Sequence, residues 1–415
     1  MSTPIKLLHF ADAHIDMANY GRLDPETGLP VRVMDFLQSL ESIVDTAIEQ
    51  KVDLVIFAGD AYKDRNPQPT FQREWGKQIM RLSQANIPTV LLVGNHDVAR
   101  ASNRAHTLEE YRTLDVPNVF VADRIELIGP EKLGVPVQVL AIPWVSRSAL
   151  MTRQETAGLS VGEVFTEIES RIETAVQTLF ERTDPTLPLI MTAHASVEGA
   201  IFGSERQVML GHEIVLSQGL VRDKRLDYVA LGHIHKHQDL NKGQHPPVVY
   251  PGSIERIDFG EAREQKGFVI AAVGKGKTEW RFEKLKTRPF RDYRPDTPTA
   301  DTFMEDVMRQ LPEPHEVADA ICRVQLAYPR DWEPLVDETA IANRFELAMS
   351  YQLQKHRLAA KRARLGDTVA VEEMSRLDLL DIYWQTTDLG DEEAAVMQEL
   401  AREVFANLDQ DGEEE

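Results

Sequence analysis

Very little cysteine is present. The single Cys322 excludes an internal disulfide, and a reducing compartment is the natural setting for such a chain. No apolar run reaches the roughly 20 residues that would span a bilayer. Nor does a charged-then-apolar leader precede the first strand-like segment, so we expect a soluble, cytoplasmic protein with no membrane partner. Net positive charge is missing as well: 46 Lys and Arg stand against 67 Asp and Glu, a formal charge of −21. Global attraction to nucleic acid is thereby excluded, but a local basic groove is not. The excess of acid is uneven. From Asp367 to Glu415, 16 acidic residues face only Arg376 and Arg402, so this segment carries −14 and residues 1–366 carry −7.

What the chain does have is five short apolar runs, each ending in residue types that ligate metals. Leu7-Leu8-His9-Phe10 leads to Asp12 and His14, and Leu54-Val55-Ile56-Phe57 to Gly59-Asp60. Thr89 to Val93 leads to Gly94-Asn95-His96-Asp97, Leu189-Ile190-Met191 to His194, and Tyr228 to Leu231 to Gly232-His233-Ile234-His235. Short apolar runs bounded by glycine read as buried strands. In layered α/β folds ligands bind beyond the carboxyl ends of such strands. One rim can therefore collect Asp12, His14, Asp60, Asn95, His194, His233 and His235. These are oxygen and nitrogen donors, too many for one metal with an open position, and they suit two ions that share a carboxylate. With no thiolate nearby a structural zinc site is disfavoured, leaving Mn, Fe or Zn. His9, His106, His212, His237 and His245 lack this context and read as hydrogen-bonded core or surface residues.

At 415 residues with 42% hydrophobic content, two or three domains with a sizeable core are expected. Leu37, Leu40, Ile43, Val44 and Ile48 form an apolar helical stripe. Helices are also expected at Thr70–Leu82 and Val161–Phe180, and strands from Val248 to Phe282 with a turn at Gly274-Lys275-Gly276-Lys277. Pro289, Pro295 and Pro298 mark a boundary. Beyond it, Thr302–Leu311 reads as a helix and Ala318–Leu326 as a strand, with Ala320, Cys322, Val324 and Leu326 on one face. A long helix is expected over Ile341–Arg364, ending at Gly366 with the basic run Lys355, His356, Arg357, Lys361, Arg362, Arg364. Two shorter helices follow, near Val371–Trp384 and Glu392–Asn407.

The order D-x-H, G-D, G-N-H-D, H, G-H-x-H resembles the calcineurin-like metallophosphoesterase superfamily. The wider layout resembles the SbcD family, the nuclease subunit of the bacterial SbcCD complex for DNA double-strand-break repair. Thr192 to Ala200, Tyr250-Pro251-Gly252-Ser253, Lys266-Gly267-Phe268 and Arg288-Pro289-Phe290 are similar to segments of that family. The resemblance implies an α/β fold: a layered metallophosphoesterase β-sandwich flanked by helices (1–285), a small α+β cap domain that binds DNA (286–337) and a C-terminal helical tail (338–415). It also implies two divalent ions, with manganese expected. Asp12, His14 and His235 would hold one ion, Asn95, His194 and His233 the other, with Asp60 bridging.

Carried over by position, His96 is the catalytic residue, stabilising the transition state or protonating the leaving 3′ oxygen, while Asp97 fixes the loop. Lys63 stands where several relatives have a second histidine; it or Arg65 could hold a substrate phosphate, and Asp64 could orient His96. The resemblance implies a hydrolase of DNA phosphodiesters, 3′→5′ exonuclease on double strands and endonuclease on single strands. The partners implied are DNA and an SbcC-like ATPase, docked on the apolar faces of the tail, with the chain a homodimer inside a heterotetramer. The alternative is a phosphodiesterase for a small cyclic nucleotide or similar ester, which needs neither cap nor docking helices.

Overall fold

The computed structural model describes residues 3–98, 104–145, 151, 155–156, 158–203, 214–297 and 299–358, together with 377, 380, 384 and 396–402. The chain divides into two units. The larger comprises Met1–Tyr293, Pro312–Val324 and Ala342–Gln352.

Two six-stranded sheets build the larger unit. The first contains β1 (Ile5–Phe10), β2 (Leu54–Phe57), β3 (Thr89–Leu92) and β4 (Val119–Ala122), parallel neighbours in that order. The second contains β5 (Glu126–Ile128), β6 (Gln138–Ile142), β7 (Leu189–His194), β10 (Tyr228–Gly232), β11 (Gln238–Asp239) and β12 (Val248–Tyr250). Its central strands β6, β7, β10 and β12 are parallel. Two short strands, β8 (Ser196–Val197) and β9 (Val215–Leu216), pair beside them. A hairpin of β13 (Gly267–Gly274) and β14 (Lys277–Lys284) closes the first sheet, with β13 antiparallel to β1.

Strand alternation assigns each face. In β1, Ile5 and Leu7 enter the core between the sheets with Leu54, Ile56, Val90, Ile190 and Ala230. Leu8 and Phe10 face the other way, against Phe36, Leu40, Trp75 and Ile79. Those last residues belong to the helix Val31–Glu49, which carries the expected stripe, and to Pro69–Gln84, the helix expected at Thr70–Leu82. On the outer face of the second sheet, Met191, Val229 and Leu231 pack on Ile168, Ile172 and Val176 of the helix Val161–Phe180. Ser160 caps that helix by accepting from the Glu163 N–H at 3.3 Å, while Glu163 accepts from the Ser160 N–H at 2.8 Å. The result is a helix–sheet–sheet–helix sandwich. His9 ties its two sheets together: Nε2 donates to the Leu231 carbonyl at 3.2 Å and Nδ1 accepts from the Tyr228 hydroxyl at 3.1 Å. Burial pushes this imidazole down to about 3, so it is a neutral core residue, as expected.

After the hairpin, β15 (Phe290–Tyr293) pairs in parallel with the start of β16 (Ile321–Pro329), from Phe290 opposite Ile321 to Tyr293 opposite Val324. Ala320, Cys322, Val324 and Leu326 are all buried, the face the alternation predicts.

The smaller unit comprises Arg294–Leu311, Gln325–Ile341 and Leu353–Glu415. Its helix Phe303–Gln310 buries Phe303 edge-on against Tyr328 and Trp332, with ring centroids 5.6 and 5.8 Å apart. One expectation fails nearby. The long helix over Ile341–Arg364 does not form through its described part: a helix spans only Glu338–Asn343, and Ser350–Leu358 is strand β17. The physical reason lies in pairing. Lys355 and Arg357, two apart, both reach the Glu333 carboxylate at 2.6–2.8 Å, which strand period allows and helical period does not. The basic run therefore starts on a strand, not at a helix end; Lys361, Arg362 and Arg364 lie outside the described residues, as does His212. Of the two tail helices, Leu377, Leu380, Trp384 and residues 396–402 are helical and the remainder lies outside the described residues. No described helix is long and apolar enough to cross a membrane.

Candidate metal centre

All seven expected ligands come together beyond the carboxyl ends of β1, β2, β3, β7 and β10, and each strand end delivers them for a local reason. Asp12, His14, Asp60 and His233 have positive φ, at 50°, 40°, 66° and 95°. Such backbone is uncommon for non-glycine residues and costs energy, so these tight turns persist because the surrounding structure over-determines them. Hydrogen bonds do this here. The Asp12 N–H donates to the Gly59 carbonyl at 2.9 Å, and the Ala13 and His14 N–H groups to the Asp60 carbonyl at 2.8 and 3.2 Å. Both Asp12 carboxylate oxygens accept from the His233 N–H, at 3.0 and 3.1 Å, which ties β1 to β10.

Asp97 binds no ligand cluster but locks two loops, as expected. Its carboxylate accepts from the N–H groups of Asp60, Ala61 and Gly94 and from the Thr107 hydroxyl, at 2.9–3.1 Å. Burial, with the Asp60 charge added, pushes this carboxyl up to about 6. The glycine of the G-N-H-D segment is there for space: a Cβ on Gly94 would stand 2.2 Å from Asp60 Oδ1.

Tautomers follow from the outer partners. His14 Nδ1 lies 3.3 Å from the Tyr62 carbonyl, and His235 Nδ1 lies 3.0 Å from Glu261 Oε1. Both partners are acceptors, so both Nδ1 atoms carry the proton and both Nε2 atoms present lone pairs. Those two Nε2 atoms face each other at 3.2 Å. A second group lies deeper. His194 Nδ1 donates to the Ala58 carbonyl at 2.7 Å, which turns its Nε2 towards Asn95 Oδ1, 3.0 Å away; His233 Nδ1 is also 3.0 Å from that oxygen. Ligand-type nitrogens and oxygens thus gather at two points, and at the first of them two lone pairs meet, which a cation relieves. Asp12, His14 and His235 present ligand atoms within 4.8 Å of one another, and so do Asp12, Asp60 and His194.

Asp60 stands between the two. Its Oδ2 is 3.3 Å from His194 Nε2 and 3.9 Å from His14 Nε2, and its Oδ1 accepts from the His96 N–H at 2.8 Å. Burial would raise this carboxyl, but His194, His96 and His14 outweigh burial and hold it far below the usual range. Burial likewise opposes a charge on His194, yet the Asp60 carboxylate pushes that imidazole up to about 9. A proton on His194 thus answers the same demand for positive charge that a metal would. The donor set and its demand for charge fit divalent ions.

His96 is half-buried and lies edge-on to His14, ring centroids 5.2 Å apart. Its Nδ1 donates to the Lys63 carbonyl at 2.6 Å, so backbone, not the Asp64 side chain, orients it. Asp16 in turn accepts from the N–H groups of Lys63 and Asp64 at 2.5 and 2.9 Å. A cavity of about 1120 Å³ opens beside His96, lined by Met17, Asn19, Lys63, Arg65, Asn66 and Phe71 among others. Neither Lys63 nor Arg65 has a carboxylate partner among the described residues; Lys63 Nζ lies 3.6 Å from Met17 Sδ.

Sequence reasoning missed Trp144, whose ring lies 5.2 Å from His233 and 6.3 Å from His194. It follows the carboxyl end of β6, but tryptophan ligates no metal, so the rule that found the ligands passes over it. Glu261 was missed too, and no spacing signals it. Of the histidines set aside, His237 donates to the Tyr250 carbonyl at 2.8 Å. His106 sits with Glu109 and Asp123, but Arg112 already takes the Asp123 carboxylate at 2.6 Å.

This layered fold, with oxygen and nitrogen donors gathered from five strand ends, is an arrangement suited to metal-dependent phosphoester chemistry. The chain matches the calcineurin-like phosphoesterase family over residues 5–237 and belongs to it. Among curated proteins, the D subunit of nuclease SbcCD from Escherichia coli (strain K12) is similar: 27% identical over 283 residues, covering 66% of this chain and 66% of that protein. The DNA double-strand break repair protein Mre11 of Archaeoglobus fulgidus is 23% identical over 303 residues, covering 69% of this chain and 61% of that one. The similarity thus spans just under two thirds of these relatives' own length. Among solved structures, TT1561 of Thermus thermophilus shares 16% identity with a TM-score of 0.39, covering 68% of this chain and 99% of that chain.

Proposed function

We propose that the chain is a DNA nuclease of the SbcD kind, a phosphodiester hydrolase that uses two divalent ions, manganese being the expected metal. The observation that carries this reading is the gathering of ligand atoms at two points, His14 with His235, whose lone pairs face each other, and His194 with His233 and Asn95, with the Asp60 carboxylate between them. When bound, two dications supply a water of lowered pKa and stabilise both the attacking and the leaving oxygen of a phosphoester displacement. The residues do the rest. Asp12, His14 and His235 hold one position, Asn95, His194 and His233 the other, and Asp60 spans both. His96, held through Nδ1, keeps Nε2 for the leaving 3′ oxygen. Lys63 and Arg65 bind substrate phosphate at the mouth of the cavity.

The same reading extends to partners and location. Residues 286–337 form the cap that binds DNA. The tail, 338–415, docks on an SbcC-like ATPase through the apolar faces at Leu380, Tyr383, Trp384, Val396, Leu400 and Phe405; Val396 and Leu400 are exposed, Trp384 is buried, and Tyr383 and Phe405 lie outside the described residues. The assembly is a homodimer within a heterotetramer, cytoplasmic, and works on double-strand breaks and hairpins by 3′→5′ exonuclease and single-strand endonuclease action.

Side-by-side assays on linear plasmid, hairpin DNA and a small chromogenic diester with manganese test the substrate class. Cleavage of both DNA substrates is expected; turnover of the small diester alone would favour the cyclic-nucleotide alternative. The phosphate contacts have their own signature. Changing Lys63 and Arg65 to alanine should raise KM for DNA with little change in kcat at saturation. It should also lower the salt dependence of binding by about one in log–log slope for each phosphate interaction removed. An unchanged salt slope would return both side chains to the solvated surface.

A further inference from the structure

The metal ligand His235 is gripped by a buried polar cluster that the reaction itself does not use. Its ring Nδ1 donates to Glu261 Oε1 at 3.0 Å. The other oxygen, Oε2, accepts from the Lys266 ammonium at 2.8 Å and from the Ile257 N–H at 2.9 Å. Lys266 spends its remaining protons on Glu264 Oε2 at 2.8 Å and on the carbonyl of His235 itself at 3.0 Å. That carbonyl also receives the Ser253 N–H at 3.1 Å. Glu261 and Lys266 are both shut away from solvent, at 0% and 1% exposure.

Stability alone is a poor reason to keep such a pair. Desolvating two charges offsets most of their attraction, and apolar replacements of similar volume are often as stable. The local backbone is also shaped around the ligand. Gly252 adopts a φ of +80°, and a Cβ there would stand 2.4 Å from the His235 carbonyl oxygen. Gly252, Ser253 and Lys266, residues with no role in the chemistry above, thus converge on one histidine.

We infer that Glu261 and Lys266 are positioning residues that fix His235 with its proton on Nδ1 and its Nε2 lone pair aimed at the ion shared with Asp12 and His14. Ring and backbone of His235 are held by the same buried pair, so neither rotation nor tautomer is free. The pair therefore acts directly on the ion that His235 holds, and reaches the other, whose ligands Asn95, His194 and His233 have different outer partners, only through the shared Asp60. Carboxylate partners of metal-bound histidines typically change metal affinity about 10- to 100-fold. This inference rests on the two-ion reading above.

The test is a calorimetric titration of the metal-stripped full chain with Mn²⁺ alone. Wild type should bind two ions. Glu261→Gln should weaken one step by about 10- to 100-fold and leave the other in place. In a His235→Ala background the same substitution should cause no further loss, since its effect passes through that ring. An additive loss in that background would mean that Glu261 acts on the fold at large, and would overturn the inference. So would an unchanged titration of Glu261→Gln beside a two-ion wild type. A wild type that binds fewer than two ions would instead overturn the two-ion reading itself. Should Glu261→Gln fail to fold, Glu261→Gln/Lys266→Met removes both charges together and is titrated in the same way, with the same outcomes deciding the matter.

Discussion

Replacing Asp60 should abolish hydrolysis of every phosphodiester the protein cuts, with metal content falling from two ions towards one or none. The carboxylate reaches both halves of the centre, with Oδ2 near His194 and His14 and Oδ1 on the His96 N–H. On the proposed reading its loss would remove the bridging ligand and free the loop that carries His96. Asp60→Asn is the cleaner variant, because asparagine tolerates the φ of 66° at this position and keeps a hydrogen-bonding oxygen. Asp60→Ala adds the strain of alanine in a left-handed turn. Activity near wild type in the asparagine variant, with metal content measured on the same sample, would refute the two-ion reading.

His96→Ala should behave differently: both ions stay and the rate falls. A positioned acid or base supplies about 100- to 10,000-fold, and that is the loss expected in kcat. The geometry favours this separation. His96 is oriented by the Lys63 carbonyl at 2.6 Å, outside the two groups of gathered ligand atoms, and its backbone N–H serves Asp60, which alanine retains. Manganese content by elemental analysis and single-turnover rates on DNA would distinguish the two roles. Loss of an ion with the ring would move His96 into the coordination shell.

Strand ends made the centre legible in the sequence. Asp12, His14, Asp60, Asn95, His194, His233 and His235 each follow an apolar run by a few residues, and buried parallel strands deliver their ends to one rim whatever lies between them in the chain. Helices with clear stripes or caps, such as Val161–Phe180, were legible at their ends too. What escaped is set by partners distant in sequence. Glu261 sits in a single 3-10 turn, and its meaning comes from His235, 26 residues earlier in the chain. The segment Ser350–Leu358 lacks proline and glycine and so allows a helix, but the Glu333 carboxylate, 22 and 24 residues before Lys355 and Arg357, rewards an extended chain. Propensity is a weak prior against such pairing. Positive φ at Asp12, His14, Asp60 and His233 was likewise invisible, because nothing in those side chains announces it.

The facing lone pairs of His14 and His235 have a consequence for the protein's life in a cell. Without a cation they repel across 3.2 Å. Ions that bind only the folded state stabilise it by mass action, by about 4 kcal/mol at a thousandfold excess over Kd. Chelation should accordingly lower the melting temperature and expose the chain to proteases, and restoring Mn²⁺ should reverse both. The amount of intact protein would then follow the supply of free divalent metal, so that scarcity of the metal would reduce the number of molecules as well as the activity of each.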